Sequence, residues 1–181
     1  MIRCKWYNLN NKRYIEYHDN EWCKPNFDDK YLYEMLILEL FQAGLSWECV
    51  LNKRDDFRKA FDNFDIDKVC EYTEEKVQEL LKNEKIIRNK LKINAAINNS
   101  KIFKEIQNEC GTFYEYIKAF SNGEILYEIN KTKNELSDKI SKDLQRRGMK
   151  FVGSTIIYSY LQAIGVIYSH DKECFLYKEI Q

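Results

Sequence analysis

The stretch LLKNEKIIRNKLKINAAI (residues 80–97) decides how the chain folds. A helical pattern runs out near Lys82, a short apolar turn through Lys85, Ile86 and Ile87 follows, and a basic helix begins by Lys90. Two helices joined so tightly can aim the free backbone N–H groups of the second helix, with Arg88, Lys90 and Lys92 beside them, at a phosphodiester. The pattern is that of a helix-hairpin-helix with Ile86 in its hairpin. An ordinary αα-turn carrying a solvated basic face has the same spacing, so the stretch read alone leaves both open.

Working outward, the charge is locally polarised. Between residues 81 and 104, Lys82, Lys85, Arg88, Lys90, Lys92, Lys101 and Lys104 face Glu84 alone, whereas residues 55–79 are rich in acids. Over the whole chain 29 basic and 29 acidic residues cancel, so net charge offers no argument for a polyanionic partner. Hydrophobic residues at 44% and aromatics at 14% argue against disorder, and no apolar run is long enough to span a membrane. A chain of 181 residues suits a single domain over 1–181. The first fifteen residues hold no apolar segment of the signal-peptide kind, so a cytoplasmic location is expected. The six cysteines are then expected as thiols or metal ligands rather than disulfides.

One proline and six glycines punctuate the chain, and nothing alternates strongly enough to read as a paired strand, which predicts an all-α protein of about eight helices. Asp28 or Asp29 caps a helix through KYLYEMLILELFQAG, apolar nearly all round and therefore central, which Gly44 ends. Ser46 caps the next helix, Thr73 opens another, and Thr112 with Glu115 predicts a capping box. Two later helices end at Gly148 and Gly165, and residues 121–137 read as the longest connection.

Two constellations carry chemistry. Glu39 lies inside MLILELFQAGLSW (residues 35–47), where a carboxylate costs several kcal/mol to ionise unless it is paired. Trp47 is two turns away, and the opening segment RCKWYNLNNKRYIEYHDNEW (residues 3–22) supplies Trp6, Tyr14, Tyr17 and Trp22. A carboxylate walled by aromatics suits a flat, electron-poor heterocycle such as a nucleobase. A glutamate that caps a neighbouring helix or pairs with a lysine would fit the same sequence. The second constellation joins Cys4 and His18 to His170 and Cys174, taking both histidines of the chain. His170 and Cys174 are four apart, on one face of a helix, so the set can chelate zinc and tie together segments of about 1–22 and 166–176. Surface histidines and buried thiols are the alternative.

Taken together, RCKW, YIEYHDNEW, FQAGLSW, IIRNKLKI, RRGMKFVGSTIIYSYLQAIG and the closing His170 and Cys174 resemble the 3-methyladenine DNA glycosylase I family in order and approximate spacing from Arg3 to Cys174. The resemblance implies a helix-hairpin-helix glycosylase fold and one structural zinc at Cys4, His18, His170 and Cys174. It implies monofunctional excision of 3-methyladenine from alkylated double-stranded DNA. The base pocket would be Glu39, Tyr17 and Trp47, with Trp6, Tyr14, Trp22 and Ser159 around it. Leu45, in the QAGLSW turn, would act as the wedge that fills the gap left by an extruded base. Two positions depart from the family, which usually has glycine where this chain has Lys85 and Cys23. A left-handed Lys85 would cost about 1–2 kcal/mol relative to glycine.

Methylation at N3 makes the nucleotide cationic and its departing base neutral, so a leaving-group acid is dispensable. Glu39 would accept from the N6 amino edge, Tyr17 would hydrogen-bond the base and Trp47 would stack on it. No residue is assigned as general base, no lysine is placed as a Schiff-base nucleophile, and the protein is expected to act as a monomer. A zinc-stapled helix-hairpin-helix module that binds DNA without cleaving is the competing reading. A zinc hydrolase fits less well, because four protein ligands leave tetrahedral zinc no open position.

Overall fold

The computed structural model describes residues 1–6 and 8–178. Ten α-helices are present among them: α1 (Lys12–Asn20), α2 (Asp29–Gln42), α3 (Trp47–Asn52), α4 (Arg54–Ala60), α5 (Ile66–Cys70), α6 (Glu74–Lys82), α7 (Lys90–Cys110), α8 (Phe113–Ser121), α9 (Glu135–Arg146) and α10 (Ser154–Ala163). The count exceeds the expected eight because residues 47–70 break into three short helices and a single 3-10 turn, Asp62–Phe64.

The expectation of no strands fails at one place. Leu126–Tyr127 (β1) pairs in parallel with Ile167–Tyr168 (β2), through bonds from Leu126 N to Val166 O and from Glu128 N to Tyr168 O. Each strand has two residues, too few for any alternation to register, and their partners lie 41 positions away (167 − 126).

Helix starts follow side-chain chemistry. Asp28 accepts from Tyr31 N at α2, Ser46 from Cys49 N at α3, Asn89 from Lys92 N at α7 and Thr112 from Glu115 N at α8. Thr73 precedes α6 without a capping bond from its side chain. The reciprocal capping box falls at Asn134 and Ser137, ahead of α9. At Thr112 the carboxylate of Glu115 turns instead to Lys118. Asp29, the other candidate cap of α2, is taken by a neighbour and accepts from Phe113 N and Gln107 Nε2.

Helix α2 is the axle of the molecule. Leu32, Met35, Leu36, Ile37, Leu38, Leu40 and Phe41 have no exposed surface, and α3, α7, α8 and α10 all pack against it. Burial on every side explains why its sequence lacks a polar stripe. At the far end of α10 the chain passes so close to Lys24 and Pro25 that a Cβ on Gly165 would lie 2.3 Å from the Pro25 nitrogen. Gly165 also has φ +79°, so space and backbone both demand glycine there. This contact brings the segment before α2 against the segment that follows α10.

The connection between α6 and α7 is tight. Asn83 Oδ1 accepts from Lys85 N at 3.0 Å, Asn83 O accepts from Ile86 N, and Lys53 Nζ reaches Lys85 O at 3.1 Å. Lys85 is not among the residues with positive φ, so the strain expected there does not arise. It arises at the other departure: Cys23 has φ 60°. There the buried thiol accepts from Ser169 N at 3.3 Å, an anchor that glycine could not offer.

Candidate functional site

Glu39 projects from the middle of α2 into a cavity of about 270 Å³. Trp6, Tyr14, Tyr17 and Trp22 line it from the opening segment and α1, Trp47 from the start of α3, and Ser159 from α10. Every residue that the sequence assigned to a base pocket therefore meets in one place. The aromatic wall has two groups of touching rings: Trp6 lies with its ring centroid 4.6 Å from that of Trp22 and 5.3 Å from that of Tyr14, and Tyr17 lies 5.3 Å from Trp47.

The cavity is electrostatically unusual. Glu39 is 3% exposed, its Oε2 has no hydrogen-bond partner, and desolvation raises its pKa to about 8. Tyr17 and Tyr14 also rise, first through burial and further because each feels the Glu39 charge. Nothing positive answers the carboxylate from within α2. The alternative in which Glu39 caps a helix or pairs with a lysine is not what the fold provides.

Six further residues line the cavity that sequence reasoning missed: Gln42, Asn130, Lys131, Gln162, Ser169 and Asp171. Gln42 was findable, three positions beyond Glu39 and so on the same helical face. The others come from the connection before α9, from α10 and from the segment after β2, and no spacing links them to Glu39.

Next to the cavity, Cys4, His18, His170 and Cys174 converge as a buried group whose donor atoms all lie within 4.8 Å of one another. Such a group can hold a metal ion. Cys4 Sγ is 3.5 Å from His170 Nδ1, and Cys174 Sγ is 3.6 Å from both His18 Nε2 and His170 Nδ1. The outer nitrogen of His18 faces Asp19 Oδ1 at 2.8 Å, and Arg3 holds that carboxylate in turn at 2.8 Å. That chain fixes the ring so that Nε2 faces the cluster. Cavity and cluster share a wall, with the rings of Trp22 and His170 4.8 Å apart.

The basic candidates divide. Arg88 and Lys90 are exposed at the α6–α7 connection, Arg88 loosely paired with Glu84 at 3.4 Å and Lys90 closely with Glu74 at 2.7 Å. Lys92 is not a surface cation: it is 6% exposed, and its ammonium donates to Phe41 O at 2.8 Å and Ala43 O, closing the C-terminus of α2. Unpaired carbonyls at a helix end attract a cation, and Lys92 is within reach of them. Ile86 is likewise buried in the core. Leu45, 41% exposed, stands at the tip of the turn between α2 and α3.

This nearly all-helical chain has counterparts among known proteins. The family model for methyladenine glycosylase matches residues 6–177, and the chain belongs to that family. It is 41% identical over 184 residues to DNA-3-methyladenine glycosylase 1 of Escherichia coli (strain K12), covering 98% of this chain and 97% of that one. A crystal structure of 3-methyladenine DNA glycosylase I matches with a TM-score of 0.94 at 38% identity, over 98% of this chain and 100% of the other. A variant of 3-methyladenine DNA glycosylase I solved in complex with 3-methyladenine matches at 0.91 and 29% identity, over 97% of each chain. Among the described residues no helix is long and apolar enough to cross a membrane.

Proposed function

We propose that this protein is a monofunctional DNA glycosylase that hydrolyses the N-glycosidic bond of 3-methyladenine in alkylated double-stranded DNA. The observation that carries the reading is Glu39, a buried carboxylate with an unpartnered oxygen in an aromatic cavity, in a chain of this family. The damaged nucleotide is flipped into the cavity, at an unstacking cost of a few kcal/mol that is smaller for a damaged base. Trp47 stacks on the base, Tyr17 hydrogen-bonds it, and Glu39 takes its donor edge. When the C1′–N9 bond breaks, the bonding pair neutralises the cationic base. Water then adds to C1′ and gives up its proton, so no acid on the leaving group is required.

The unit formed by α6, residues 83–89 and α7 acts as the helix-hairpin-helix that holds the phosphate backbone. Arg88 and Lys90 supply charge, and the first N–H groups of α7 supply donors. Leu45 is the wedge. The protein works as a monomer.

Zinc fits the Cys4, His18, His170 and Cys174 cluster. With Zn–S near 2.3 Å and Zn–N near 2.0–2.1 Å, tetrahedral geometry separates sulfur from nitrogen by about 3.6 Å. The distances here are 3.5 and 3.6 Å. Four protein ligands saturate the ion, so it contributes a staple between segments 166 positions apart (170 − 4) and no chemistry. Elemental analysis should find one zinc per chain, and Cys174→Ser should lower both that stoichiometry and the melting temperature. Metal-free protein of unchanged stability refutes the staple.

The function is tested by chromatography of bases released from alkylated DNA. Wild type should release 3-methyladenine, and Glu39→Gln should be slower by about 100-fold while binding undamaged duplex equally well. A wild type that releases no base leaves a DNA-binding module. A variant as fast as wild type removes Glu39 from the reaction.

A further inference from the structure

Among the described residues, five buried side-chain polar atoms have no hydrogen-bond partner: Glu39 Oε2, Gln42 Oε1, Trp47 Nε1, Ser169 Oγ and Tyr160 OH. The first four belong to residues that line the one cavity. Orphaned buried polar atoms are rare in folded proteins, and their concentration at one cavity describes what that cavity is shaped to bind. Two are acceptors, one is a donor, and one hydroxyl can serve as either.

From this set we infer that Gln42 is a specificity-determining residue: its amide oxygen and the Glu39 carboxylate together accept both N–H bonds of a purine 6-amino group. The inference rests on the glycosylase reading and deepens it. Glu39 and Gln42 are three apart on α2, so they are adjacent on one face of the helix. The amide has a preferred orientation, because Gln42 Nε2 points at Leu45 O, 3.5 Å away. The flipped amide would set oxygen against that carbonyl, so the electrostatics keep Oε1 as the buried, unpartnered atom of the amide. A 6-amino purine presents two hydrogens at this position. A 6-oxo purine presents lone pairs instead, which leave the Gln42 oxygen unsatisfied and are met by Glu39 only in its protonated form. Sites built to hydrogen-bond a substrate group discriminate strongly against analogues without it. Trp47 meets the base through the face of its ring, so its in-plane Nε1 donor takes no part in this choice.

The test uses Gln42→Leu, which keeps the volume and removes the acceptor. Free 3-methyladenine and its 6-oxo counterpart 3-methylhypoxanthine are titrated into wild type and variant, followed by tryptophan fluorescence. Release of 3-methyladenine and of 3-methylguanine from methylated DNA is measured in parallel. Wild type should favour the 6-amino base by about 100-fold or more. The variant should lose about 10-fold on 3-methyladenine and little on the 6-oxo bases, so the ratio falls about 10-fold at unchanged melting temperature. If the variant binds both free bases as wild type does and only its duplex affinity falls, Gln42 serves the Leu45 turn and the assignment is overturned. An equal loss on both bases also overturns it, since that marks a residue which shapes the cavity without reading the base. A wild type that neither binds nor releases any of these bases instead overturns the glycosylase reading, an outcome separable from the other two.

Discussion

Helix α2 buries two glutamates five positions apart, and they could hardly be treated more differently. Glu34, 8% exposed, accepts from Arg54 Nε at 2.7 Å and from Arg58 Nε at 2.7 Å, and Arg54 goes on to Glu21 at 2.6 Å. Burial alone would lower the Arg54 pKa, but Glu34 and Glu21 outweigh it and hold the guanidinium firmly charged. Glu39, at 3%, has an oxygen with no partner and a pKa raised to about 8. Both are buried, so burial by itself does not separate them. What separates them is whether the fold supplies the opposite charge. Glu34 is neutralised from α4, whereas one oxygen of Glu39 meets no partner among the described residues.

The largest effect expected from this contrast is on stability at the paired end. Arg54→Met keeps the bulk and removes the charge, leaving Glu34 with Arg58 alone and Glu21 without its partner. Loss of one member of a buried pair should cost about 3 kcal/mol, seen as a melting temperature lower by about 6–12 °C. Base release, assayed well below that temperature, should hardly change. An Arg54→Met protein as stable as wild type would mean the network contributes nothing, and the contrast would collapse.

At the unpaired end the sign reverses. A carboxyl whose pKa is higher folded than unfolded binds more protons in the folded state between about 4.5 and 8. Stability is therefore fullest below 4.5 and falls as pH rises to 8, where the penalty is complete. Tyr14 and Tyr17 face Glu39 with raised pKa values of their own and stay neutral through this window, while Lys131 and Asp171 lie on the cavity lining. Glu39→Gln should accordingly be more stable than wild type at pH 8, by a few kcal/mol, seen as a melting temperature higher by several degrees. The gap should narrow toward pH 5. Melting curves across that range check it, and a gap independent of pH would mean that Glu39 is paired or solvated in solution.

The smallest effect extends the contrast to a charge that is not buried at all. Arg88 meets only Glu84, at 3.4 Å and in solvent, and exposed pairs of this kind contribute about 0–1 kcal/mol. Arg88→Ala should move the melting temperature by no more than about 2–4 °C. It should weaken damaged and undamaged duplex alike and flatten the salt dependence of log K by about 0.9. Unchanged affinity and slope would take the α6–α7 connection out of the DNA-binding surface.

Much of the site was legible because its signals are local. The apolar run of α2 interrupted by Glu39, the caps at Asp28, Ser46 and Thr112, and the aromatics of residues 3–22 each act over a few positions, where side-chain type and helical period suffice. Family membership, inferred from motif order, was likewise readable before any coordinate. Lys92 shows where such reading stops. Its neighbours in sequence made it one more cation of a basic face, yet the C-terminal carbonyls of α2, about fifty positions earlier, lie within reach of its ammonium and claim it. Lys85 and Cys23 invert in the same way. The hairpin takes its turn through Asn83 with no positive φ at Lys85, while Cys23 accepts a left-handed backbone in exchange for a hydrogen bond from Ser169.

By itself, then, the sequence determined the longer helices, that a carboxylate would be driven into an apolar helix, and which four residues were chemically able to meet at a metal, although His170 and Cys174 lie in the non-helical segment after β2 and not on the helix that their spacing suggested. Those follow from side-chain chemistry and from spacing within a helical turn or two. Only the tertiary structure decided that the four ligand atoms come within 4.8 Å of one another, that Glu34 is answered by arginines and Glu39 is not, and that Gln42, Ser169 and Asp171 complete the cavity. Each of those outcomes depends on contacts between residues far apart in the chain, set by how the helices pack around α2, and no local pattern encodes a distance across the core.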